Sequence, residues 1–169
     1  MKFFKGHFSC GGLFFTALLD REGRLWHLNF KAFPEASFLR RLKRHFSSVE
    51  FTAAPASLLA SLEKEIASYL TGRNKVPNFP YVLLGTPFER QVWQAASQVP
   101  YGEVRSYGWL ARTIGRPRAY RAVGQALARN PVPILVPCHR IVGTRGLTGF
   151  SQGLAIKRRL LQLEGALSQ

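Results

Sequence analysis

Apolar and polar positions alternate imperfectly over residues 3–9, where Phe4, His7 and Ser9 interleave with Phe3, Lys5 and Phe8. A period near two predicts a strand. Leu13 to Leu19 is a denser apolar run, and Leu25 to Phe30 is another. Between them, Asp20-Arg21-Glu22-Gly23 has turn chemistry, with Gly23 free to take positive φ. Residues 2–30 therefore read as strands with a hairpin. From Pro34 the period lengthens. Phe38, Leu39 and Leu42 fall on one side of a helix, and Arg40, Arg41, Lys43 and Arg44 largely on the other, as a solvated face. A second helix, from Pro55 or Ser57 to about Leu70, places Leu58, Leu62, Ile66 and Leu70 at four-residue spacing. Thr71-Gly72 stops it. Residues 72–80, with Gly, Asn and two Pro, read as a linker.

A clear helix start follows. Thr86 can cap, Pro87 fits the first helical position, and Glu89 completes a capping box. Phe88, Val92, Trp93 and Ala96 form its buried side. Ser106 can cap a helix from Tyr107 to about Ile114. Gly115 breaks it and Pro117 restarts it, so Arg118 to Arg129 reads as a second helix after a three-residue turn. That is a helix-turn-helix pattern. The second helix mixes Arg118, Arg121 and Arg129 with Ala119, Ala122, Gly124, Ala126 and Ala128. Small residues allow either tight helix packing or close approach to a nucleic-acid groove.

Pro131, Pro133 and Pro137 forbid an ordinary helix over residues 130–141. The apolar residues between them predict a rigid, extended, buried segment that delivers Cys138. Gly143, Gly146 and Gly149 mark a loop. Leu154 to Leu163 reads as a last amphipathic helix with Gly165 at its C-terminal end. The fold class is α+β: a small N-terminal domain with an antiparallel sheet and helices over residues 1–79, then a mostly helical domain with the helix-turn-helix over 80–169.

Composition adds a partner class. The 169 residues hold 24 Lys+Arg and 9 Asp+Glu, a net charge of +15. Residues 1–84 carry +6 and residues 85–169 carry +9, and 11 of the 12 basic residues in the second half are Arg. This favours a polyanion, and Arg suits bidentate phosphate contacts. The 46% apolar content argues against disorder. Two cysteines, Cys10 and Cys138, exclude a disulfide scaffold and favour a reducing, cytoplasmic compartment. No apolar run approaches a membrane span, and the basic, aromatic start is interrupted too soon for a leader.

Cys138 is followed directly by His139 and Arg140. Nearby positive charge favours the thiolate. His139 can serve as its base only if the chain turns there. Glu164 is the sole acidic residue after Glu103 and is a candidate to orient His139. A buried structural thiol is the alternative. A metal site from Cys138, His139 and Cys10 has no spacing signature.

Pro137-Cys138-His139-Arg140-Ile141, preceded by Asn130-Pro131-Val132-Pro133-Ile134-Leu135, resembles the active-site signature of the O6-alkylguanine-DNA alkyltransferases. The likeness spans Gly85 to Gly165. It includes Gly102-Glu103-Val104, Ser106-Tyr107, Arg121-Ala122-Val123-Gly124 and Ser151-Gln152-Gly153-Leu154. The resemblance implies that Cys138 takes the alkyl group from O6-alkylguanine in double-stranded DNA, once and irreversibly. It implies a Cys138–water–His139–Glu164 relay and a Tyr107 hydroxyl that donates to the guanine ring. It places Asn130, Pro133, Ile141, Phe150, Ser151 and Gln152 around the substrate. Asn130 would tie the two helices to the active-site segment, the carbonyls of Cys138 and Ile141 would accept from the exocyclic amine, and the Ser151 N–H would meet O6. Arg121 would fill the stack vacated by a flipped base. Ala122, Gly124 and Ala126 would let the second helix approach the minor groove, with Arg118 and Arg129 near phosphate. No cofactor, no metal and a monomeric state are expected. Phe150 stands where many relatives have Tyr, and Gln152 where relatives have Gly or another residue. A non-reactive lesion binder is disfavoured because Cys138 is present. A purely architectural DNA binder leaves the Cys-His segment without a role, and a thiol enzyme unrelated to DNA leaves the arginines without one.

Overall fold

The computed structural model describes residues 1–168. The chain divides into two compact units, residues 1–83 and 84–169. In the first, strands β1 (Lys2–Cys10), β2 (Leu13–Leu19) and β3 (Leu25–Asn29) form an antiparallel meander. The β1–β2 turn is Gly11-Gly12, both at positive φ, and Gly23 takes φ 79° in the next turn. Both turns therefore occupy backbone space that glycine enters without strain. Asp20 organises the second turn. Its carboxylate accepts from the backbone N–H groups of Glu22 and Arg24, from Arg24 Nε and from Trp26 Nε1 at 2.7–3.0 Å.

Helix α1 (Ala36–His45) begins two residues after Pro34 and buries Phe38 and Leu42; Phe38 stacks on the His27 ring at 4.5 Å. Strand β4 (Glu50–Ala53), absent from the pattern reading, pairs parallel to β1 and gives the sheet order β3-β2-β1-β4. Its residues Glu50-Phe51-Thr52-Ala53 alternate polar and apolar, but four positions, all exposed, are too few to set a strand apart from a loop. Helix α2 (Ala56–Leu70) buries Leu62, Ile66 and Tyr69 and packs on β1. A Cβ on Gly6 would lie 2.5 Å from the Leu59 side chain, so glycine permits that close approach.

The expected linker does not end the first unit. Leu25 N–H donates to the Pro80 carbonyl and Val82 N–H to the Leu25 carbonyl. Residues 80–82 are thereby stitched to β3, and the division falls after Leu83.

In the second unit, α3 (Pro87–Ala96) starts with the full capping box: Glu89 N–H donates to Thr86 Oγ1, and Thr86 N–H to Glu89 Oε2. Trp93 is fully buried and donates from Nε1 to the Ala126 carbonyl at 2.7 Å. Ser106 caps α4 (Tyr107–Thr113) by accepting from Trp109 N–H. Helix α5 runs from Tyr120 to Ala128, starting two residues later than the Arg118 expected after Pro117. The connection between α4 and α5 is therefore six residues, 114–119, and Arg118 lies in it. Two short parallel strands, β5 (Arg105–Ser106) and β6 (Ile141–Val142), were not foreseen either; two residues are too few to show a period. Helix α6 (Leu154–Leu163) ends with Gly165 at φ 75°, Gly165 N–H donating to Gln162 and Ala166 N–H to Leu161. These are the paired bonds of a Schellman ending. No helix among the described residues is long and apolar enough to cross a membrane.

Candidate active site

The proline-braced segment is buried, as expected, but it is not simply extended. Val136 N–H donates back to the Val132 carbonyl at 2.9 Å, and Ile134 takes φ 75°. The segment folds back on itself and then enters a single 3-10 turn, Cys138–Arg140. That turn resolves the condition set by the sequence, because successive side chains no longer alternate across an extended chain.

Cys138 is buried at 5% exposure, and it lines a cavity of about 480 Å³. Tyr107 from α4, Arg121, Gly124 and Gln125 from α5, and Phe150 and Ser151 from the glycine loop share its wall. Leu127 and Ala128 of α5 and Thr148 also line it, and only packing could reveal these and Gln125. Asn130 Nδ2 donates to Cys138 Sγ at 3.0 Å and to the Val136 carbonyl at 2.9 Å, while its Oδ1 accepts from Val132 N–H. Asn130 thus braces the turn that presents the sulfur, though it does not line the cavity. Pro133, Ile141 and Gln152 do not line it either. Pro133 and Ile141 are buried behind the turn, and the Ile141 carbonyl already accepts from Lys157.

His139 is completely buried, and Glu164 Oε1 lies 2.8 Å from its Nε2. This contact requires an Nε2–H donor, and in the neutral ring that leaves Nδ1 with the lone pair. Arg140 closes on the same carboxylate. Its Nε donates to Oε2 at 3.0 Å and its Nη2 to Oε1 at 2.8 Å, while Nη1 donates to the Val99 carbonyl. The guanidinium lies 5.7 Å from the Tyr101 ring centre. Gly102, at φ 83°, brings its N–H to 3.4 Å from Glu164 Oε2, where an added Cβ would meet the Glu164 carbonyl at 3.1 Å. Glycine at this point lets the chain reach the carboxylate.

The flanking charges do not make Cys138 a resting thiolate. Burial pushes its pKa up to about 11, against the smaller lowering effects of the Asn130 bond and Lys157. The expectation from the neighbouring sequence fails because Arg140 is spent on Glu164 and burial outweighs what is left. Burial likewise lowers the His139 pKa, offset in part by Glu164 and reinforced by Arg140 and Lys157.

Lys157 was missed altogether. It looks like one more cation on an amphipathic helix, yet it is fully buried. Its Nζ donates to the carbonyls of Ile141, Thr148 and Gly149 at 2.6–3.0 Å, and burial lowers its pKa to about 8. The Tyr107 hydroxyl donates to the Thr148 carbonyl at 2.7 Å. Lys157 and Tyr107 together hold the glycine loop over the cavity.

On α5, Arg121 and Ala122 are exposed and Gly124 partly so. Ala126 is buried under Trp93 and cannot reach a groove. Arg118 is exposed in the connection. Arg129 lies within 3.4 Å of Glu89 Oε1, an ion pair with the capping residue of α3. Cys10 and Cys138 are both free thiols. No group of three potential metal ligands occurs among the described residues.

A helix-turn-helix whose second helix borders a cavity with a thiol at its base defines a DNA-binding thiol acceptor. Comparison with known proteins gives the family. Residues 87–166 match the family model "6-O-methylguanine DNA methyltransferase, DNA binding domain". The chain is 47% identical over 104 residues to a methylated-DNA–protein-cysteine methyltransferase of Methanosarcina acetivorans, covering 61% of this chain and 67% of that one. It is 41% identical over 129 residues to the protein of that name from Mycobacterium tuberculosis strain H37Rv, covering 75% and 78%. A crystal structure of Mycobacterium tuberculosis OGT in complex with DNA superposes with a TM-score of 0.76 at 31% identity, covering 98% of this chain and 93% of that one. The chain belongs to the methylated-DNA–protein-cysteine methyltransferase family. Its activity is direct-reversal DNA repair, in which an alkyl group passes irreversibly from DNA to a cysteine of the protein itself.

Proposed function

We propose that Cys138 is the acceptor and that the substrate is O6-alkylguanine in double-stranded DNA, extruded from the helix into the cavity above the sulfur. The observation that carries this reading is the position of Cys138. This residue lines a cavity bordered by α5, and the next residue of the same turn, His139, is buried against Glu164. A nucleobase inside a duplex cannot meet a sulfur at the base of such a cavity, so it must flip. Arg121, exposed at the cavity rim, would fill the vacated stack. Ala122 and Gly124 would give α5 close approach to the minor groove, and Arg118 would meet phosphate. Arg129 is better assigned to the Glu89 ion pair.

The chemistry is an in-line displacement at the alkyl carbon. The Cys138 proton passes through a water to His139 Nδ1 as the S–C bond forms and the C–O6 bond breaks. Glu164, accepting from Nε2–H, stabilises the imidazolium that results. The Tyr107 hydroxyl would exchange its carbonyl partner for the guanine ring and assist O6 as a leaving group. The Ser151 N–H would meet O6, with Phe150 beside the base. The product is a thioether, which is a poor leaving group, so nothing regenerates the thiol. The protein would act as a monomer without a cofactor, in a reducing cytoplasm where Cys10 and Cys138 stay free.

The test is intact mass after incubation with duplex DNA carrying O6-methylguanine. One gain of about 14 Da, one methyl in place of one hydrogen, is expected on the peptide holding Cys138. Repeated turnover, or a gain elsewhere in the chain, would refute the assignment.

A further inference from the structure

Arg140 lies inside the site but has no part in the relay, and its geometry implies one. It is 6% exposed, and four of its hydrogen bonds reach fixed acceptors: three to the two oxygens of Glu164 and one to the Val99 carbonyl. Glu164 therefore serves two cations, one permanent and one conditional. A guanidinium cannot be neutralised in a protein, whereas an imidazole can.

That difference governs the protonation state of His139. A buried carboxylate with only an imidazole beside it draws a proton onto the ring, because an ion pair is the cheapest way to keep the carboxylate charged in a dry site. An imidazolium has no lone pair and cannot accept the Cys138 proton. With Arg140 on Glu164, the carboxylate is already matched. Protonating His139 would then bury an unmatched positive charge, with Lys157 adding another nearby. We propose, on the reading of Cys138 and His139 given above, that Arg140 is a positioning residue that neutralises Glu164 and so holds His139 as an Nε2–H imidazole, ready to receive a proton at Nδ1. The proton transfer leaves the cluster's net charge unchanged, since a neutral thiol and imidazole become a thiolate and imidazolium. As the S–C bond forms and the C–O6 bond breaks, the negative charge leaves on the guanine, and the proton held by His139 is the one that balances it.

The ionisable groups around His139 agree with this account. From its own turn, Cys138 is a neutral thiol and Arg140 a cation. From α6, Glu164 is the one anion and Lys157 the second cation. Helix α3 packs against the turn, and its sole carboxylate, Glu89, lies with Thr86 and Arg129. Tyr101 holds its phenol against Glu164 and Arg140, and burial raises its pKa, so it stays neutral. The direction of the His139 shift, downward with Arg140 among its causes, follows the same logic.

The experiment reads His139 directly, by nitrogen-15 NMR of the histidine rings in the whole protein, alongside alkylation rate against pH. In the wild type, His139 is expected as the neutral Nε2–H tautomer at pH 7. In Arg140→Gln, its titration moves up by about one pH unit or more, and the acid limb of the alkylation rate moves with it, the rate recovering as pH rises. In the double variant Arg140→Gln, Glu164→Gln, the carboxylate is gone and the titration falls back. A cationic His139 in the wild type at pH 7 overturns the proposal without any variant. So does a folded Arg140→Gln protein with unchanged His139 titration. Failure of Cys138 to gain mass in the wild type would sink the acceptor assignment instead, and the ring spectra are independent of it.

Discussion

Cys138, the proposed acceptor, is at rest a poor nucleophile. With a pKa near 11, only about a thousandth of the population is thiolate at pH 8. The sign is that of a buried acid: the neutral form holds below pH 11 and the reactive form grows as pH rises. Alkylation of Cys138 by iodoacetamide should therefore climb about tenfold per pH unit from roughly pH 7 to 10. Peptide mass spectrometry separates it from Cys10, and a plateau below pH 9 would contradict the buried-thiol account. On the proposed relay, in which His139 takes the proton once the substrate is in place, alkyl transfer from DNA should be far flatter over the same range. The sequence offered Cys138, His139, Glu164 and Tyr107 as candidates, and the fold sets Cys138 and Tyr107 on one cavity and His139 against Glu164. Their charge states were not legible in the sequence. Those depend on Glu164 arriving from α6, 25 residues from His139, and on Lys157 turning inward.

Among the elements, those with local signals were the best foreseen. The capping box at Thr86, the Ser106 cap and the Gly165 ending each rest on bonds spanning three to five residues. The start of α5 was misjudged because Pro117 is compatible with a first helical turn and equally with a turn of the connection. The Asp20 turn shows what such a local device is worth. Burial would raise the Asp20 pKa, but bonds from Trp26 and Arg24 outweigh it and the net shift is downward. A carboxylate held down in the fold stabilises it above the ordinary carboxylate pKa, and that stabilisation is lost as pH falls through the folded value. Asp20→Ala should cost roughly 2–4 kcal/mol, by stranding the Trp26 and backbone donors. Urea unfolding at pH 7 measures it, and a loss under about 0.5 kcal/mol would show the turn to be dispensable.

At the scale of the whole molecule, the +15 net charge should act on DNA affinity and leave lesion choice alone. Two of the arginines near the site are engaged within the protein: Arg129 pairs with Glu89, and Arg140 is buried on Glu164. Binding to lesion-free duplex should fall steeply with salt, by roughly a thousandfold between about 50 and 200 mM if six or more phosphates are contacted. A Cys138→Ala protein should show a parallel fall on duplex carrying O6-methylguanine. Titrations of the two duplexes at several salt concentrations test this. A ratio of affinities that changes more than about tenfold over that range would mean that charge contributes to lesion recognition.

By itself, the sequence determined the order of nearly all the elements, the caps and turns that bound them, the thiol-bearing motif and the sign of the partner's charge. Each of these is encoded within a few residues or in a simple sum over the chain. The tertiary structure alone decided that Cys138 rests as a thiol, that Arg140 serves Glu164 and not DNA, that Arg129 serves Glu89, and that Lys157 lies inside holding the cavity's loop. Those outcomes turn on which charges are desolvated together, and residues 24 to 40 positions apart in the chain supply them. Desolvation and pairing are properties of the packed interior, and no local pattern carries them.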